Sequence, residues 1–107
     1  MSKFVLLYSG GGMPATEAEQ AAVLKAWQEW FSDLGSDVVD GGEPFTGQAK
    51  TIDRSGMVTD GPAGTMASGY SIINADSLES AVQMAKRCPV LMGPDAKITV
   101  YETFHVM

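Results

Sequence analysis

Apolar residues first gather in Phe4-Val5-Leu6-Leu7-Tyr8. Both alternating sets are apolar there: Phe4, Leu6 and Tyr8 on one side, Val5 and Leu7 on the other. That is the pattern of a strand that expects cover on both faces. The period then changes. Thr16 with Glu19 forms a capping-box signal, and Ala21, Leu24, Trp27, Phe31 and Leu34 recur at helical spacing up to Gly35, which predicts a helix over 17–34. Val38-Val39 begins a short strand that runs into Asp40-Gly41-Gly42-Glu43-Pro44-Phe45, where the paired glycines predict a bulge or a close backbone approach.

Residues 46–53 are weakly strand-like, Arg54-Ser55-Gly56 is a turn, and Met57-Val58-Thr59 is a second short strand, together a hairpin. Residues 68–74 form a strand with Tyr70 and Ile72 on one face. Asp76 with Glu79 predicts the cap of a second helix, whose stripe is Leu78, Ala81, Val82, Ala85 and Cys88, and Pro89 ends it. A last strand over 97–106 places Ile98, Val100 and Phe104 on one face and Tyr101 and His105 on the other.

This order is an α+β, ferredoxin-like split βαβ plan, and its 107 residues make one domain, 1–107. Two helices cover one sheet face only. The other face, apolar in the first and last strands, is too large a patch for a comfortable monomer, so the expected state is a homodimer with the sheets packed face to face.

The net charge of −6 argues against a nucleic-acid partner or an anionic membrane surface, both of which need a basic patch. No stretch approaches the apolar length of a membrane span, and the apolar run after Lys3 is too short for a secretory signal, so the expected location is cytoplasmic. The single cysteine, Cys88, fits a reducing compartment and falls on the buried stripe, as a small hydrophobe rather than a nucleophile.

Candidate chemistry centres on Thr59-Asp60-Gly61-Pro62-Ala63-Gly64. Asp60 is either a turn carboxylate bonding its own backbone or the carboxylate of a pocket. Glu43 is either a solvated loop acid or a second pocket acid. Gly10-Gly11-Gly12-Met13-Pro14-Ala15 formally matches a dinucleotide fingerprint, with Asp40 as the possible ribose acid. A helix capped at Thr16 starts several residues too late for that motif to hold a pyrophosphate. No metal-ligand or nucleotide motif is convincing, so no cofactor is expected.

The opening strand, Gly41-Gly42-Glu43-Pro44, Asp60-Gly61-Pro62, Gly69-Tyr70 and Ala85-Lys86-Arg87-Cys88-Pro89 together resemble the YCII-related (DGPF-domain) family over nearly the whole chain. The resemblance implies a dimeric α/β barrel of ferredoxin-like subunits. It also implies a small-molecule pocket containing an aspartate, with a histidine in some members, while other members resemble accessory proteins encoded near alternative sigma factors. Ala63 stands where the family has phenylalanine, and His105, the sole histidine, does not supply a partner for Asp60. Tyr101-Glu102-Thr103 occupies a stretch where members often carry a basic residue.

The first functional expectation is a cofactor-independent small-molecule enzyme doing proton-transfer chemistry of an isomerase or lactone type. Asp60 would be its acid or base, Glu43 a second acid and Tyr70 a hydrogen-bond donor. The second is a non-catalytic ligand- or protein-binding regulatory module, using the pocket or the helix face of Trp27 and Trp30. The third, cofactor-free oxygenation, rests on fold analogy alone.

Overall fold

A computed structural model of the chain describes residues 2–12 and 14–104. Strand β1 spans Ser2–Ser9, helix α1 Glu17–Leu34, β2 Val38–Asp40, β3 Lys50–Ile52, β4 Val58–Asp60, β5 Ala67–Ala75, helix α2 Leu78–Ala85 and β6 Lys97–Glu102. Four strands form an antiparallel sheet in the order β2-β5-β1-β6, and β3 and β4 pair in a separate two-stranded sheet. The four-stranded order is that of a ferredoxin-like fold, with each helix crossing between strands that are not neighbours.

The alternation in β1 sorts cleanly. Phe4, Leu6 and Tyr8 are buried beneath the helices, as are Ser71, Ile73 and Ala75 of β5. Register sets Phe4 against Ile73, Leu6 against Ser71, and Val5 against Ile72. Helix α1 is capped as its sequence predicts, the Glu19 amide donating to Thr16 Oγ1 at 3.1 Å. Its buried stripe differs from the expected one. Trp30 and Leu34 are buried with Trp27 and Phe31 packed against the core, but Leu24 is 61% exposed. The stripe continues from Trp27 toward Val23, one residue round the helix from Leu24. The tryptophan face therefore points inward, which removes it as an outward docking surface. Trp27 meets Tyr8 edge-on at 5.8 Å, and Trp30 Nε1 donates to the Met84 carbonyl at 3.0 Å, tying α1 to α2.

Helix α2 is capped by Ser77, not Asp76: Ser77 Oγ accepts from the Ser80 amide at 3.1 Å. With the cap one residue later, Glu79 is in the first turn but no longer at the capping-box position. Its inner stripe is Ala81, Ala85 and the buried Cys88, while Leu78 is exposed at the helix start. Strand β6 carries Ile98 and Val100 against the core, and Thr103 still bonds Lys3 through both its amide and its hydroxyl. Phe104 lies outside that layer, 92% exposed, and the expected continuation through His105 lies outside the described residues.

The glycines at 10–12 all take positive φ, and at Gly10 the space is filled by the chain itself. A Cβ on Gly10 would sit 2.2 Å from the Asp95 carbonyl oxygen, and the Gly11 amide donates to the Pro94 carbonyl at 2.9 Å. The loop is a close-packed seam against the turn before β6, and α1 starts only at Glu17.

The expected hairpin is present, with Lys50 opposite Asp60, Thr51 opposite Thr59 and Ile52 opposite Val58. It stands apart from the main sheet. The molecule is flat, 44 × 39 × 18 Å, with a radius of gyration of 15.2 Å, where a compact chain of this length has about 13 Å. Among the described residues no helix is long and apolar enough to cross a membrane.

Candidate functional site

The face of the four-stranded sheet turned away from the helices carries Val5 and Leu7 of β1, Tyr70 and Ile72 of β5, and Thr99 and Tyr101 of β6. No helix covers it. Period-2 alternation puts these side chains there, since their neighbours along each strand point into the core.

Asp40 joins them through a register shift. Val38 pairs with Ile73 and Asp40 pairs with Ile72, so Val39 is an extra residue in the edge strand. Were all three residues paired in a regular ladder, Asp40 would face the helix layer with Val38; with the bulge, Asp40 lies on the open face. There the Tyr70 hydroxyl donates to Asp40 Oδ2 at 3.1 Å. Asp40 Oδ1 accepts the Gly42 amide at 2.8 Å, which fixes the carboxylate. The hydrogen bond to Asp40, that carboxylate's charge, and more weakly the charge of Glu43 raise the Tyr70 pKa above the ordinary phenol value. Tyr70 is thus a protonated donor held against an acid, with a second acid beside it.

The turn that follows is locked to β5. A Cβ on Gly42, at φ +82°, would fall 1.6 Å from the Tyr70 carbonyl oxygen, so only glycine lets the backbone come so close. Pro44 bridges Gly69, and the Phe45 amide donates to the Ser68 carbonyl at 2.8 Å. These bonds seat the Phe45 ring on Tyr70, centroids 6.0 Å apart and planes 30° apart. From beneath, Tyr8 OH donates to Ser71 Oγ at 2.7 Å, and Ser71 Oγ donates to the Gly41 carbonyl at 2.7 Å. Burial, with Cys88 close by, pushes the Tyr8 hydroxyl well above its ordinary pKa, so it holds its proton. Burial likewise raises the Cys88 thiol, the opposite of what a nucleophile needs.

Of the three residues singled out in the sequence, Tyr70 lies on this face, and Glu43 is exposed in the adjoining turn, near enough for its charge to act weakly on the Tyr70 hydroxyl. Asp60 does not join them within one chain. It lies on the hairpin, where Lys50 Nζ binds its Oδ1 and both side chains are largely exposed. An open hollow of about 600 Å³ lies there, lined by Gly47, Gln48, Ala49, Lys50, Asp60 and Gly61. Asp40 and Phe45 were not among the predicted site residues. The signal that could have found Asp40 is the double glycine after it, read as a bulge that changes its face. Among the described residues no group of three or more His, Cys, Asp or Glu side chains could hold a metal ion.

The chain shares its fold with a dehydrochlorinase. This is the 5-chloro-2-hydroxyhydroquinone dehydrochlorinase of Burkholderia phenoliruptrix AC1100, solved in complex with 2,5-dihydroxybenzoquinone. The two align with a TM-score of 0.56 and 15% identity, over 95% of this chain and 94% of that one. At that identity the likeness speaks for the α+β, ferredoxin-like fold. No protein-family model matches the chain, and no curated protein sequence does.

Proposed function

We propose that the chain is a YCII-related homodimer and a small-molecule enzyme that moves protons without a cofactor. The observation that carries this reading is the Asp40–Tyr70 pair on the open sheet face, with Glu43 beside it and Phe45 stacked on the phenol. A phenol kept protonated by a neighbouring carboxylate is a hydrogen-bond donor to a substrate oxygen. A second carboxylate is available as base, and the reaction needs the two acids to hold different protonation states. In this reading a carbonyl or hydroxyl of the substrate replaces Asp40 as acceptor of the single Tyr70 O–H, and Glu43 and an Asp60 supplied by the second chain are the acid–base pair. The apolar floor of Val5, Leu7 and Ile72 with the Phe45 ring suits a flat, oxygenated ring. Isomerisation of such a ring needs only proton transfers; elimination also releases a leaving group as its anion, and lactone opening also takes up a water. Shared fold with an enzyme solved around a dihydroxybenzoquinone supports the same ligand class.

The test is a thermal-shift and calorimetric screen with hydroxylated benzoquinones, aromatic acids and lactones, on wild type, Asp40→Asn and Tyr70→Phe. One compound class should stabilise wild type and lose at least about tenfold in affinity in Tyr70→Phe, the size of one lost hydrogen bond to a buried polar group. Equal binding to all three proteins would overturn the assignment. Binding lost in the variants with no turnover of any bound compound would instead favour the regulatory ligand-binding module, a reading the openness of the face also supports.

A further inference from the structure

The hairpin poses a problem that the single chain does not solve. Two-stranded hairpins are at best marginally stable in water unless something packs on them. Here β3 and β4 make their substantial contacts with each other alone. Their pairing puts Ile52 and Val58 side by side on one face, with Lys50 and Asp60 next along it. Ile52 is 70% exposed and Val58 54% exposed, and Met57 beside them is 63% exposed. Thr51 and Thr59 hold the other face, and Thr51 Oγ1 is already committed to the Gly61 carbonyl at 2.8 Å. The apolar face of the hairpin therefore has no partner among the described residues of its own chain.

The open sheet face has the same deficit. Its four strands, at about 4.8 Å spacing and roughly six residues of about 3.3 Å each, project to about 400 Å². A stable interface buries about 800 Å² of accessible surface on each partner, and a second apolar element enlarges what faces of this footprint bury; each chain carries one unused. In a two-fold arrangement each chain both offers a hairpin and receives one, so both deficits close at once.

We propose that the β3–β4 hairpin is an arm that lies across the open sheet face of a second copy of the chain. Its Ile52 and Val58 cover Val5, Leu7 and Ile72 there, and its Lys50 and Asp60 arrive beside that copy's Asp40–Tyr70 pair. Each site is then built from two chains: Asp40, Glu43 and Tyr70 from one, and Lys50 and Asp60 from the other. This accounts for an acid that stands away from Tyr70 in its own subunit. It also gives the site a roof, which shields it from bulk water and strengthens its hydrogen bonds. The inference deepens the reading above and rests on it for the purpose of the site, but the docking of the arm is tested without any ligand.

Sedimentation at micromolar concentration should give twice the 11.3 kDa chain mass for wild type. Ile52→Asp with Val58→Asp should raise the dimer dissociation constant at least about tenfold. Both positions are exposed and outside the core, and the fluorescence of Trp27 and Trp30 checks that the body stays folded. The placement is read by mixing isotope-labelled wild type with unlabelled Arg54→Cys carrying a nitroxide, the buried native Cys88 staying unlabelled. Amides of Val5, Leu7, Ile72 and Tyr101 in the labelled chain should broaden selectively. A monomeric wild type overturns the proposal. So does a dimer that the arm substitutions leave intact, or one whose sheet-face amides show no broadening. A dimer held without the arm would leave the homodimer and the Asp40–Tyr70 assignment standing, and a failed ligand screen would leave the arm standing, so the two failures are distinct.

Discussion

Ser71 is a fully buried polar side chain that serves two groups at once. It accepts from Tyr8 and donates to Gly41, so it couples the helix side of the sheet to the turn that holds Asp40. Removing the central partner strands two buried groups, whereas removing Tyr8's hydroxyl strands none that water or rotation of Ser71 cannot serve. Ser71→Ala is therefore expected to cost about 1–3 kcal/mol in urea unfolding, and Tyr8→Phe about 1 kcal/mol. On the other face, Asp40→Asn removes the charge that disfavours the Tyr70 phenolate. The Tyr70 pKa, followed by NMR of its ring carbons, should fall toward its ordinary value. The hairpin tip has its own titrating group. Asp53 Oδ1 accepts from the Ser55 hydroxyl at 2.6 Å, the Met57 amide at 3.0 Å and the Ser55 amide at 2.9 Å, which together lower its pKa. A depressed carboxylate contributes stability above its unfolded pKa of about 3.9 and loses it as the pH falls through the lower folded value. Amide exchange at Ser55 and Met57 should therefore accelerate, relative to the main sheet, only below about pH 4.

At the scale of elements, much of the fold was legible and the reasons are local. The alternation of Phe4 to Tyr8, the Thr16 cap, the Gly35 stop and the turn between residues 53 and 57 each carry their own chemistry. Leu24 misled because a stripe counted at three- and four-residue steps drifts round the helix, and only the sheet beneath decides which side is covered. Asp76 misled because two adjacent residues can both cap a helix, and Ser77 holds the extended conformation that aims its hydroxyl at the Ser80 amide. The face of Asp40 was not legible, because it depends on pairing with β5, thirty residues away in sequence. Gly42 was legible as a constraint but not as to its neighbour. Gly42→Ala should push the Glu43–Phe45 turn off β5. The expected readouts are loss of the Phe45–Tyr70 stacking in ring-current shifts and destabilisation of more than about 1 kcal/mol, since both the positive φ and the contact oppose a Cβ.

The whole molecule is a two-layer plate with one bare side and one projecting hairpin. The bare side was legible in the sequence, because two helices cover only one sheet face; the projection of the hairpin was not, since turn residues announce a hairpin but not what it rests on. The shape has a practical corollary. Arg54 sits at the exposed hairpin turn, so trypsin should cut after it readily in dilute protein. If the arm is docked, raising the concentration through the dimer constant should slow that cut selectively, while cleavage after Arg87, on the helix side, keeps its rate.

The extra residue in β2 makes the acid on the open face a matter of phase. Residues two apart in a regular strand share a side, so it is the bulge that brings the carboxylate out opposite Ile72. Deleting Val39 would leave the aspartate next to Val38 and still opposite Ile72, so the acid would keep its face. A relative with the same three residues all paired in a regular ladder would instead carry its aspartate opposite Ser71. Chains that look identical column by column thus differ in whether they hold the site, through the phase of one edge strand alone.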